Sequence, residues 1–352
     1  MLDNQKKSPE TVFTYSSAGV DVQHTDAIKE EMSNYMSTDN PRVLNGLGPF
    51  ASLYDMKFDN IAHPVLVLKT EEPGSKQKLA MTYDYVESIC HDMVNHLVND
   101  IIVMGATPLA VLDTIVCGSA DKKIIKKIIK GISDACRHNE CDLVGGETSI
   151  QPGVVNIDTY ILTSSIAGIV EKDKIIDGSK IAEGDTVIAV ASNGLHTNGY
   201  TLVRLLMDDL PHFKSKSVGG EPFLDAIMKP HTAYYKAVKD LFSTDTIKGM
   251  AHITGGGIEG NLKRIIPDGL CAKIDLAKIR TLPIFTYIKS SGNVSDSEML
   301  NTFNCGVGLA LVVAPDNAAA VIKHISKYFD CYPIGEIVVN KKKIDLKNKM
   351  IW

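Results

Sequence analysis

Apolar and polar positions follow two rhythms along this chain. Short β-branched runs bounded by turn residues, at 64–69, 186–191 and 308–314, predict buried strands. Elsewhere apolar residues return every third or fourth position. The clearest case is 121–136, where Ile124, Ile128, Ile132 and Cys136 recur, flanked by Ile125 and Ile129, with Asp121 placed to cap the amino end. Lys122, Lys123, Lys126, Lys127 and Lys130 fall on the opposite side and predict a solvated face. The same rhythm predicts helices over 83–105, 200–210 and 258–266. Strand-like runs alternating with helical ones predict a mixed α/β (α+β) protein. The charged segment 171–185, with two glycines, lies between strand-like runs and predicts a boundary between domains 1–172 and 173–352.

Composition narrows the function more than the fold. A chain of 352 residues with 44% apolar and 22% charged side chains is globular in character, which excludes disordered and fibrous classes. The 42 acidic and 37 basic side chains leave a net charge of −5, so neither nucleic acid nor a membrane surface is an expected partner. Apolar runs stop far short of the ~20 residues a membrane span requires. No secretory signal is visible in the polar first ten residues. Seven scattered cysteines without a Cys-x-x-Cys pair suggest a reduced, cytoplasmic protein.

Several polar clusters interrupt the apolar pattern. Asp92, His96 and Asp100 are spaced to project from one side of the 83–105 helix, beside Asn95 and Asn99. They either face water or converge on a cation such as Mg²⁺; His91 and His96 have no partner cluster at zinc-ligand spacing. The segment Glu71-Glu-Pro-Gly-Ser-Lys76 joins carboxylates, a tight turn and a lysine, either as a site for a magnesium nucleotide or as an exposed turn. Leu143-Val-Gly-Gly-Glu-Thr148 reads as a glycine turn presenting a glutamate. Asn193-Gly-Leu-His-Thr-Asn-Gly199 forms a loop between a strand and a helix, where α/β proteins often bind ligands. In His252-Ile-Thr-Gly-Gly-Gly257 the glycines would let backbone N–H groups approach an anion.

Together these clusters resemble the phosphoribosylformylglycinamidine cyclo-ligase (AIR synthetase) family. The resemblance runs from about residue 15 to 336. It rests on Ser17-Ala-Gly-Val-Asp21, Val98-Asn-Asp100, Gly145-Gly-Glu-Thr148, Val170-Glu-Lys-Asp-Lys-Ile-Ile-Asp-Gly-Ser-Lys180, Thr254-Gly-Gly-Gly257 and Thr302-Phe-Asn-Cys-Gly-Val-Gly308. One segment departs from it: the usual Thr-Asp-Gly-Val-Gly-Thr-Lys is Thr70-Glu-Glu-Pro-Gly-Ser-Lys76 here. Smaller departures are Ser16 for lysine and Ser149-Ile-Gln151 for Ala-Glu-Met.

The resemblance implies a two-domain PurM-like fold whose N-terminal strands build a barrel-like core across a homodimer, with ATP in a cleft beside it. It implies transfer of the ATP γ-phosphoryl group to a formamide oxygen, ring closure by a substrate nitrogen, and loss of phosphate. By the same route Glu71, Asp100 and Glu147 would hold Mg²⁺, and Asp100, His196 and Lys76 would be catalytic. Nucleotide contacts would come from Gly74, Ser75, Lys76, Asn99, Gly146, Glu147, Asn198, Gly255, Gly256 and Gly257. Two alternatives are another ATP-using enzyme of the superfamily and a non-catalytic ligand-binding homologue, the latter suggested by the altered 71–75 segment.

Overall fold

The computed structural model describes residues 35–36, 38–46 and 49–352; the expectations at Ser16 and 17–21 lie outside them. Two sheets divide the chain. The first comprises β1 (Pro64–Glu71), β2 (Thr107–Cys117), β3 (Asp142–Ile150) and β4 (Tyr160–Glu171) in the order β1-β4-β2-β3. Among the described residues its only parallel pair is β2 with β3. One face is covered by the helices Val86–Ile102 and Lys122–His138, whose isoleucines, leucines and valines bury a continuous core against the strands. The other face carries Leu68, Leu112 and Ile161, all exposed.

The strands β5 (Thr186–Ala191), β8 (Ile247–His252), β9 (Leu270–Asp275), β10 (Val307–Val313), β11 (Cys331–Val339) and β12 (Ile344–Lys347) build the second sheet, in the order β12-β9-β11-β5-β10-β8. A small hairpin of β6 (Ser217–Val218) and β7 (Glu221–Pro222) stands apart. Every residue of β10 is buried, as its uninterrupted apolar run predicts. Antiparallel pairs dominate both sheets, so the mixture of α and β is closer to α+β than to a doubly wound parallel fold.

Local expectations hold where periodicity is strong. Asp121 caps the helix Lys122–His138 by accepting from the amides of Lys123 and Ile124 at 2.7 and 3.2 Å. Ile125, Ile128, Ile129 and Ile132 are buried, while Lys123, Lys126, Lys127 and Lys130 are exposed. The predicted 83–105 helix is shorter, because Asp84 takes a left-handed φ of +58° between Lys76–Thr82 and Val86–Ile102. The 258–266 helix is the short Gly257–Leu262. The glycine turn predicted at 143–148 is instead the strand β3. At Gly146 an added Cβ would lie 2.0 Å from Asp113 Oδ1, so this glycine permits close approach inside an edge strand.

Candidate active site

Asp92, Asn95 and Asn99 of the polar stripe on Val86–Ile102 do not meet bulk water; they pack on residues 229–234 of the second half. Asp92 accepts from the His231 amide at 2.8 Å, and Asn95 donates to the His231 carbonyl at 2.6 Å. Asn99 donates to the Thr232 carbonyl at 2.8 Å and accepts from the Tyr234 amide at 3.1 Å. Lys76, fully buried, places its ammonium 2.9 and 2.7 Å from the two oxygens of Asp92. It also donates to the carbonyls of His196 at 3.1 Å and Lys229 at 2.7 Å. Burial pushes the Asp92 carboxyl up to about 6, against the pull of Lys76. The two carbonyls on Lys76 and the amide on Asp92 favour the ionised pair.

This latch brings a second set of side chains to the edge of a cavity of about 640 Å³. Strand alternation turns Lys69 and Glu71 of β1 towards the helix. The Lys69 ammonium lies 3.0 Å from Glu71 Oε2 and 3.0 Å from Asp100 Oδ2. Asp100 Oδ1 is 2.7 Å from His252 Nδ1. A carboxylate can only accept, so Nδ1 carries the proton. His252 Nε2 then meets His231 Nε2 at 2.8 Å, and His231 stacks on His196 with ring centroids 3.9 Å apart. Burial tends to raise Asp100, but the His252 hydrogen bond and nearby positive charge hold it well below the usual carboxylate range. Burial, helped by His252, holds the His96 imidazole down at about 4 despite Asp100 and Glu71. His96 is therefore neutral at physiological pH.

The predicted site residues separate into three groups. Glu71 and Asp100 converge, and Asn198 and Gly255 line the same cavity, with Asn198 Oδ1 3.2 Å from where a Gly255 Cβ would be. A second group is turned inward. Lys76 and Asn99 serve the latch, and His196 is buried with Nε2 3.1 Å from Thr232 Oγ1. The amides of Gly256 and Gly257 donate to the carbonyls of Asn301 and Thr254 at 2.9 and 3.1 Å. Gly74 and Ser75 do not line the cavity; the Gly74 amide donates to Glu72 at 2.9 Å.

The third group is Gly146 and Glu147, which are exposed on β3. Across the register Glu71 pairs with Ser164, Ser164 with Asp113, and Asp113 with Gly146. Three strand spacings, roughly 14 Å, therefore separate Glu147 from Glu71. Glu147 pairs with Thr114, beside exposed Leu112, so it also points to the opposite face. Within one chain Glu147 does not join Glu71 and Asp100. Residues not predicted as site residues include Lys69 and Arg264 at the cavity and His231 and His252 behind Asp100. The only sequence hint was the placement of His252 and Arg264 around the glycine loop.

Comparison with known proteins shows the family. Residues 59–170 match the family model for the AIR synthase related protein N-terminal domain, and residues 182–347 match the corresponding C-terminal domain. Phosphoribosylformylglycinamidine cyclo-ligase of Methylobacillus flagellatus is 41% identical over 91% of this chain and 91% of its own. The enzyme of the same name from Acetivibrio thermocellus is 39% identical over 95% and 99%. The chain belongs to the phosphoribosylformylglycinamidine cyclo-ligase family. In fold it is similar to thiamine-monophosphate kinase from Stenotrophomonas maltophilia K279a, with a TM-score of 0.65, 16% identity and coverage of 93% and 96%. It is also similar to E. coli HypE, with a TM-score of 0.66, 15% identity and coverage of 92% and 94%. Like the family members it matches, the chain is a ligase of purine biosynthesis by kinship.

If Lys76 serves the latch, Lys76→Met should lower unfolding free energy by about 3–5 kcal/mol, the cost of leaving a buried charge unpaired. Lys76→Met with Asp92→Asn should recover part of that loss in urea denaturation. A single variant of native stability would return Lys76 to the list of ligand contacts. A second expectation concerns pH. Burial drives His196 well below its ordinary 6.5, so below that pH the unfolded chain binds a proton that the folded one refuses. Stability must fall on acidification by at most about 1.4 kcal/mol per pH unit for this group. His196→Asn, whose side chain tolerates the φ of +60°, should flatten the stability profile between pH 6 and 4.5 by that slope. Parallel profiles for the two proteins would show that His196 is charged when folded.

Proposed function

We propose that the chain converts formylglycinamidine ribonucleotide to aminoimidazole ribonucleotide, with ATP consumed to ADP and phosphate. What carries this reading is the meeting of Glu71 and Asp100 with Arg264 around one cavity in a chain so similar to cyclo-ligases along its length. An amide oxygen is a poor leaving group; once phosphorylated it departs as phosphate. The γ-phosphoryl moves to the formamide oxygen, an amidine nitrogen of the substrate attacks that carbon, and the ring closes as the C–O bond breaks and phosphate leaves. Positioning and neutralisation of charge account for most of the acceleration in such transfers.

The donor set fits a divalent cation, since Glu71 and Asp100 already hold a positive ammonium between them. Mg²⁺ there would offset the charge of the polyphosphate. Arg264, exposed at the cavity, supplies a guanidinium for phosphate oxygens, with the Asn198 amide and the main chain at Gly255 beside it. Val103, Met104 and Ile265 offer an apolar wall for a flat ring. Lys76, Asn99 and His196 act as positioning residues through the latch.

The proposed assembly is a homodimer. Leu68, Leu112 and Ile161 are 68%, 47% and 42% exposed on the helix-free face of the first sheet, an apolar strip that a second copy would cover to form the barrel-like core. Glu147 shares that face and, with the main chain of Gly146 beside it, would contribute to a site across the interface. The domain division 1–172 and 173–352 belongs to the same proposal, as does a cytoplasmic location, supported by seven unpaired, buried cysteines.

Purified protein given formylglycinamidine ribonucleotide and Mg-ATP should release aminoimidazole ribonucleotide and ADP in equal amounts. Asp100→Asn should lower kcat by about 10²–10³-fold, the usual loss when a preorganised electrostatic group is removed, with an unchanged circular dichroism spectrum. Near-normal turnover would exclude Asp100 from the reacting centre. Leu68→Asp should shift the mass measured by light scattering from dimer to monomer; a wild-type protein that is already monomeric would sink the dimer.

A further inference from the structure

The carboxylates assigned above to a cation have a nitrogen neighbour. His96 is 7% exposed, and its Nδ1 lies 3.1 Å from Thr197 Oγ1. That contact orients the ring so that Nε2 faces the cavity, 3.8 Å from Glu71 Oε2 and 3.7 Å from Asp100 Oδ2. No hydrogen-bond partner within reach satisfies this Nε2 among the described residues; the two carboxylate oxygens lie just beyond hydrogen-bonding distance. The same two oxygens are each 3.0 Å from the Lys69 ammonium, which occupies the position of a shared cation. An ion that displaced the Lys69 ammonium would have the His96 ring nitrogen and one oxygen of each carboxylate around it, and side-chain rotation of Glu71 and Asp100 would close the set to bonding distance. Asp100 is held from behind by His252, and His252 by His231, the outer support that metal ligands commonly have.

We propose that Glu71, Asp100 and the Nε2 atom of His96 form a mixed oxygen–nitrogen site that prefers a first-row transition divalent cation over Mg²⁺. The inference rests on the reading of Glu71 and Asp100 as cation ligands and adds the imidazole and its consequence. Mg²⁺ takes oxygen ligands and keeps its waters, whereas imidazole raises affinity along the series from Mn²⁺ through Co²⁺. Lys69 competes for the same two oxygens. Its side chain is 36% exposed at the cavity mouth, so it can swing into water when a metal enters. His252 and Thr197 are positioning residues that hold Asp100 and His96.

The test uses the whole chain and measures binding rather than turnover. Mn²⁺, Co²⁺ and Mg²⁺ are titrated separately into wild type, His96→Asn and Lys69→Met, with folding checked by circular dichroism. Wild type should bind Mn²⁺ and Co²⁺ more tightly than Mg²⁺, and Lys69→Met should tighten all three. His96→Asn should weaken Co²⁺ by more than about tenfold while Mg²⁺ changes little. Pulsed EPR of the Mn²⁺-loaded wild type should resolve coupling to one directly bound ¹⁴N, a reading that needs no variant. Mg²⁺ binding that is lost in Asp100→Asn, with no ¹⁴N coupling and no effect of His96→Asn, would overturn the imidazole and leave the carboxylate reading standing. Absence of binding by every cation, even to Lys69→Met, would overturn both.

Discussion

The buried contact between Lys76 and Asp92, with the amides of Asn95 and Asn99 in line behind it, governs how the two halves of this chain meet. Charged and amide groups on an apolar helix cannot be left unpaired away from water. Here their partners are main-chain atoms of residues 196 and 229–234. The helix can dock in one register only, because a shift of one residue would leave several of these groups without partners at once. That register brings Asp100 opposite His252 and turns His96 towards Glu71.

A division of labour follows along a single helix. Asp92, Asn95 and Asn99 join the halves, while His96 and Asp100 face the cavity from the same surface. The imidazoles of His196, His231 and His252 continue the joint into the second sheet, stacked or hydrogen-bonded to one another. The cavity therefore owes its shape to the contact between the halves rather than to either alone, the usual setting for small-molecule sites.

Much of this was legible in the amino-acid sequence. The buried strands β5 and β10, the amphipathic helix with its Asp121 cap, and the family itself were all apparent from periodicity and long motifs. The i, i+4, i+8 stripe was visible too, but spacing could not tell solvent from a docked neighbour, because both demand polar side chains. Resemblance placed Lys76 and the glycine amides on a ligand; their inward hydrogen bonds come from tertiary contacts more than a hundred residues away for Lys76 and from a neighbouring helix end for Gly256. Glu147 shows the limit of motif reading in another way. A strand's side chains alternate between faces, and the face is settled by pairing across the sheet. His252 was hidden as the partner of Asp100 since 152 residues separate the two.

One property of the joint reaches beyond the site. Residues 229–234 are gripped through their peptide groups, so the identity of the side chains they carry contributes little to the grip itself. Substitutions at 231 or 232 can thus change the chemistry behind the cavity while the backbone scaffold stays in place. The molecule has a built-in means of retuning its polar interior without coming apart at the seam.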